Sequence, residues 1–202
     1  MATVCTVISL AACVAFIGIV VSAAIIDLRT LRIPNGLMIA ACVVWLAEHA
    51  ALLALSGAFA AAATVFGGAG FSAKSLLGVL GGIAAFSSGF GSHAPTIGSA
   101  LAGALLLGGG TLLLSVVYEA VAHKPSIGGG DIKLLFVAGL YLGWWRGLFC
   151  VIIACMAFLV LSAVLPRIGW RPEDGWVREE NPYGFPFAPA IALGALVALV
   201  LP

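Results

Sequence analysis

Charge is what this 202-residue chain has least of. Lys and Arg number 9, Asp and Glu 8, and charged residues make up only 8% of the sequence, for a net charge of +1. That balance leaves no electrostatic case for nucleic acid as a partner. Cysteine is also sparse: Cys5, Cys13, Cys42, Cys150 and Cys155 all lie inside apolar runs, and no two form a C-x-x-C pair. A zinc knuckle is thereby excluded and no disulfide framework is implied, so these thiols read as small buried hydrophobes. Isolated Glu48, His49 and His93 offer no metal-ligand spacing, and no metal is expected. No basic stretch precedes the first apolar segment and no small-residue cleavage site follows it, so the segment reads as a retained helix and not a signal peptide. The short alternating runs of a membrane β-barrel are absent too. There is no internal repeat and no soluble domain.

What is abundant is apolar surface. Hydrophobic residues make up 63% of the chain and mean hydropathy is +1.21. No soluble domain of this length needs that much, so the excess faces lipid. Runs of helical length, rich in Gly and Ala, predict an all-α polytopic transmembrane bundle with small residues at its helix contacts. The expected spans are 3–26, 33–45 or beyond, 98–121, a hairpin of 132–145 and 148–165 turned at Trp144-Trp145-Arg146-Gly147, and 185–201. These give a six-helix core within one integral-membrane domain, 1–202. Residues 50–91 are Ala/Gly/Ser-rich, with Lys74 as their only charge. They read either as a surface insertion or as two short spans, and an inserted hydrophobic hairpin over 50–96 would bring the count to about eight. Residues 167–183 form the one plainly polar loop.

Two carboxylates stand out against this background. Asp27 closes the first apolar segment, and Asp131 follows Gly128-Gly129-Gly130 between two others. A carboxylate this close to hydrocarbon costs roughly 2.5–3.5 kcal/mol on insertion scales, so its default reading is functional. For the two to act together, an even number of crossings must separate them, and both two and four satisfy this. Arg29, Arg32, Lys124, Lys133, Arg167, Arg171 and Arg178 then fall on the aspartate side, with Arg146 opposite. The positive-inside rule makes the aspartate side cytoplasmic and the N-terminus external.

Gly128-Gly129-Gly130-Asp131-Ile132-Lys133-Leu134-Leu135 resembles the GxGD motif of the type IV prepilin peptidases, membrane aspartyl proteases. The segment from Asp27 to Asn35 resembles the family's other catalytic-aspartate segment, and Pro186-Phe187-Ala188-Pro189 its late Pro-Phe-x-Pro element. The three come in family order, each at a membrane boundary, and the likeness covers roughly 3–35 and 98–201. The larger bacterial enzymes carry a tetracysteine insertion and methylate the new N-terminus. This chain has neither the cysteines nor the room, which argues against methyltransferase activity. It is more similar to the short peptidases of tight-adherence (Flp-type) pili and the archaeal preflagellin peptidases.

The resemblance implies an endopeptidase of a prokaryotic plasma membrane that removes the short basic leader of a prepilin at the cytoplasmic face without a cofactor. Asp27 and Asp131 would be catalytic. Gly128, Gly130, Lys133, Pro186, Phe187 and Pro189 would bind substrate or support the dyad. The chemistry is sound on its own terms, because two close carboxylates sharing a proton supply both the base that activates water and the acid that protonates the leaving amine. The glycines would admit a substrate backbone and allow a non-helical approach to Asp131. Asp131 also suits the N-cap of the following helix. Lys133 suits either tuning of the dyad or snorkelling to anionic headgroups. The acidic residues Glu173, Asp174, Glu179 and Glu180 suit ordinary solvation or attraction of a basic leader. A small proton-coupled transporter is the competing class, since paired intramembrane carboxylates also relay protons.

Overall fold

The structure, a computed structural model, describes residues 2–66, 96–123, 128–169 and 185–200. They form five helices: α1 (Ala2–Thr30), α2 (Asn35–Phe66), α3 (Ile97–Ala122), α4 (Gly129–Val164) and α5 (Ala188–Val200). No strand occurs among the described residues. Four helices are long and apolar enough to cross a membrane, over Val7–Thr30, Asn35–Leu55, Ile97–Ala122 and Gly129–Val164, while α5 is apolar but shorter. The expected count of six to eight crossings is not reached by that criterion. α2 runs unbroken past residue 50, so no new span begins there. Residues 67–95, which hold most of the expected inserted hairpin and Lys74, lie outside the described residues, as does the acidic loop.

α1 stops where Leu31 takes up a left-handed backbone (φ 51°) and its N–H donates to the Asp27 carbonyl. α2 starts directly after Pro34, which fixes its own φ and needs no N–H there. α3 contains a wider, π-helical stretch over Leu105–Gly109, and ends at left-handed His123.

α4 is not one rod. Gly143 sits at φ 72°, ψ −178°, outside the helical region and in territory that favours glycine. A straight helix would put about 40 Å between Asp131 and Phe158 at 1.5 Å per residue. Yet Phe158 packs edge-on against Phe187, with ring centroids 5.1 Å apart. The next residue, Ala188, bonds to Asp27, which lies within electrostatic reach of Asp131. The chain therefore turns back on itself at Gly143. The expected hairpin is present, but its turn falls just before Trp144 and not within 144–147. Trp144 and Trp145 mark exposed surface there; the backbone reversal belongs to Gly143, the one glycine within α4 with positive φ.

Small residues bring the two arms against their neighbours. A Cβ on Gly103 of α3 would sit 2.5 Å from the Gly143 carbonyl carbon, and one on Gly139 2.5 Å from the Gly103 backbone. A Cβ on Gly194 of α5 would collide with the Cys150 carbonyl oxygen. Contacts this close are how apolar helices gain dispersion energy where lipid offers no hydrophobic drive between them. The core is filled by Phe16, Val20, Leu134, Leu135, Val137 and Ile191. Phe16 stacks on Tyr141 at 4.2 Å, and the Tyr141 hydroxyl donates to the Ala41 carbonyl at 2.9 Å, tying α1, α2 and α4 together. Large apolar side chains such as Leu113, Leu114 and Val121 point outward from α3, as a lipid-facing surface requires.

Candidate active site

Asp27 lies one turn before the end of α1 and is buried, with 5% of its surface exposed. Its Oδ2 accepts the Ala188 N–H at 3.0 Å, with the Phe187 N–H as a second donor. These amides are the unsatisfied N–H groups that open α5, so a carboxylate from another helix supplies the cap that α5 lacks in its own sequence. Pro186 and Pro189 shape that helix start. Pro186 is fully buried and Pro189 half-buried in the first turn. Phe187 accepts the Ala190 and Ile191 N–H groups on its carbonyl and lays its ring against Phe158.

Asp131 is the third residue of α4, behind the cap position Gly128. An acidic side chain in a first turn is favoured by the helix dipole. The capping role, however, does not use its side chain: the Asp131 and Ile132 N–H groups bond to the Gly128 carbonyl, and no side-chain cap forms. The Asp131 side chain folds back over Gly128, whose added Cβ would lie 3.1 Å from Oδ2. Its Oδ1 is buried with no hydrogen-bond partner. A buried acceptor left unmatched costs about 1–3 kcal/mol, and such atoms mark places where water, a proton or a ligand belongs.

The expected non-helical approach to Asp131 is present at Gly128, though its angles do not require glycine. Gly128 has φ −59° and ψ 135°, which any residue adopts, and Gly129 and Gly130 are helical. Their contribution is clearance. A Cβ on Gly130 would press on Ile33 at 3.1–3.3 Å, so the absent side chain is what lets the α1–α2 connector lie against the start of α4. Lys133, exposed, donates from Nζ to Asn35 Oδ1 at 2.7 Å. It thus pins α4 to the start of α2. In sequence Asn35 stands only as the end of the Asp27–Asn35 segment, a polar side chain directly after Pro34 with no role of its own.

The structure thus gathers Asp27, Gly128, Gly130, Asp131, Lys133, Pro186, Phe187 and Pro189 at one end of the bundle. Asp131 lies close enough to Asp27 to feel its charge. Glu48 lies elsewhere, accepting from Ser9 of α1, and His49 stacks on Trp45 at 4.1 Å. Among the described residues no three His, Cys, Asp or Glu side chains cluster as metal ligands would. Compared with protein-family models, curated proteins and solved structures, the chain matches none.

Proposed function

We propose that the chain is a membrane-embedded aspartyl endopeptidase of a prokaryotic plasma membrane, acting on prepilin-like substrates. The observation that carries this reading is the convergence of Asp27 and Asp131 from helices more than 100 residues apart in sequence, with a buried, unpartnered Asp131 Oδ1 beside them. Water held between the carboxylates would be activated by one and the departing amine protonated by the other. The pair titrates as a unit, so neither residue takes a fixed role. α5 holds Asp27 through backbone amides, and the Gly130–Ile33 and Lys133–Asn35 contacts fix the start of α4, so each carboxylate is positioned from outside its own helix.

Counting the α4 arms separately and adding α5 gives six crossings, with the dyad at the cytoplasmic face where Arg29, Arg32 and Lys133 gather. The substrate would be a short basic leader followed by an apolar helix, cut where the two meet. Placement at the bundle end, and not half-way along the helices, favours hydrolysis over a transmembrane proton path, where relay groups sit near the midplane.

Co-expression with a short prepilin, scoring leader removal by mass, tests the reading. Asp27→Asn and Asp131→Asn should each abolish cleavage while the protein still inserts and folds, because an amide replaces neither role. Cleavage near the wild-type level by either variant would sink it.

A further inference from the structure

We infer that the apolar groove between α2 and α3 is the lateral docking surface for the transmembrane helix of the substrate, an inference that rests on the peptidase reading above. α2 and α3 barely meet among the described residues, and α4 lies behind the gap. The gap is a groove of about 520 Å³. One wall is the stripe Met38, Cys42 and Leu46, the other Leu105 and Gly109, and the floor is Phe136. Met38 to Leu46 is two helical turns, about 12 Å.

Three observations give the groove an occupant. First, it reaches the end of α4 that carries Asp131: its lining includes Ile132 and Lys133, the two residues that follow that carboxylate in the helix. A helix lying in it would deliver its cytoplasmic end to the carboxylates. Second, Lys133 is the groove's one charged lining residue and stands at that end, where its exposed ammonium holds only a neutral amide among its described hydrogen bonds. An extended leader has backbone carbonyls without helical partners, and a lysine donates to such groups. Third, the α3 wall is the π-helical stretch Leu105–Gly109, a local widening that recurs at functional sites. A Cβ on Gly109 would meet nothing within 4 Å, leaving room for another backbone to approach closely. The groove thus accommodates the first two turns of an apolar helix, from the cleaved bond inward.

Cys42 provides the probe. In nanodiscs, with the other four cysteines changed to Ser and Asp131→Asn holding substrate uncut, the partner would be a single-span apolar helix with a basic leader. A bismaleimide should link Cys42 to cysteines in the first two turns after the junction. It should not do so in Cys42→Ser protein with Leu193→Cys on the outer face of α5. Linkage to a second copy, or no protein product from Cys42, would overturn the inference, the last assigning the groove to lipid. With active enzyme, Val43→Trp on the groove wall should raise KM about tenfold with kcat retained, the mark of lost uniform binding. If both constants stay at the wild-type level, the groove is wrong and the dyad stands. If the wild type cuts no leader-bearing helix, the peptidase reading fails, while the crosslink still reports whether the groove takes a helix.

Discussion

The two ends of the α4 hairpin use the same residue for opposite purposes. At the Gly143 end, glycine carries a positive φ and lies against Gly103, so the backbone itself is the packing surface. At the Asp131 end, Gly128 and Gly130 have ordinary φ, and their missing side chains make room for a carboxylate and for Ile33. The first end has no spare space and sets the architecture. The second leaves an unmatched acceptor and an open groove, and so can take up something from outside. Tight packing and the candidate site are separated along one helical pair.

Substitutions at each end test that separation. The largest effect is expected from Gly103→Val. Its Cβ would fall 2.5 Å from backbone, and overpacking of this kind costs about 1–3 kcal/mol or more. The unfolding midpoint in detergent should fall steeply; an unchanged midpoint would mean that α3 and α4 are not packed as described. Gly143→Ala comes next. Alanine at positive φ with an extended ψ, a region used almost only by glycine, costs on the order of 1–3 kcal/mol, so stability should drop while turnover per folded molecule holds. Loss of turnover at unchanged stability would blur the contrast between the ends. Gly130→Val should behave in the opposite sense. It displaces Ile33 by a few tenths of an ångström and shifts Asp131 relative to Asp27, so specific activity should fall about tenfold or more with little change in the midpoint. The smallest effect belongs to Lys133→Gln. An exposed contact is worth about 0–1 kcal/mol, so abundance should barely change and KM should rise a few-fold. A collapse of kcat would instead place Lys133 in the chemistry.

Much of the site is legible in the sequence because carboxylates and prolines are conspicuous in apolar chain. Asp27, Asp131 and the Pro186–Pro189 segment stand out without any structure. Their partners do not. The Ala188 amide reaches Asp27 across 161 residues, and nothing in a backbone N–H advertises itself in a sequence. Asn35 is hidden for a similar reason, since one asparagine after a proline is an ordinary helix start. The fold is legible where apolar runs have clear ends, as for α1, α3 and α5. It is not where composition is uniform: α2 continues through Ala-rich chain to Phe66 because Ala favours helix continuation as strongly as any residue. The turn of α4 is displaced from its expected site because Trp-Trp-Arg-Gly signals an interface, whereas the reversal depends on a dihedral angle. The groove could not be foreseen, since it is a property of three helices together.

The reversal at Gly143 also bears on the bilayer. The arm over 129–142 is about 21 Å long and α5, with 13 residues, about 20 Å, against a hydrocarbon layer of about 30 Å. Helices shorter than the layer draw the lipid surface toward them. Both short segments begin at the carboxylates. Thinning of the bilayer beside these segments would bring the headgroup boundary toward Asp27 and Asp131. Bulk water would then reach the two carboxylates from a depression in the lipid surface, without a channel through the protein.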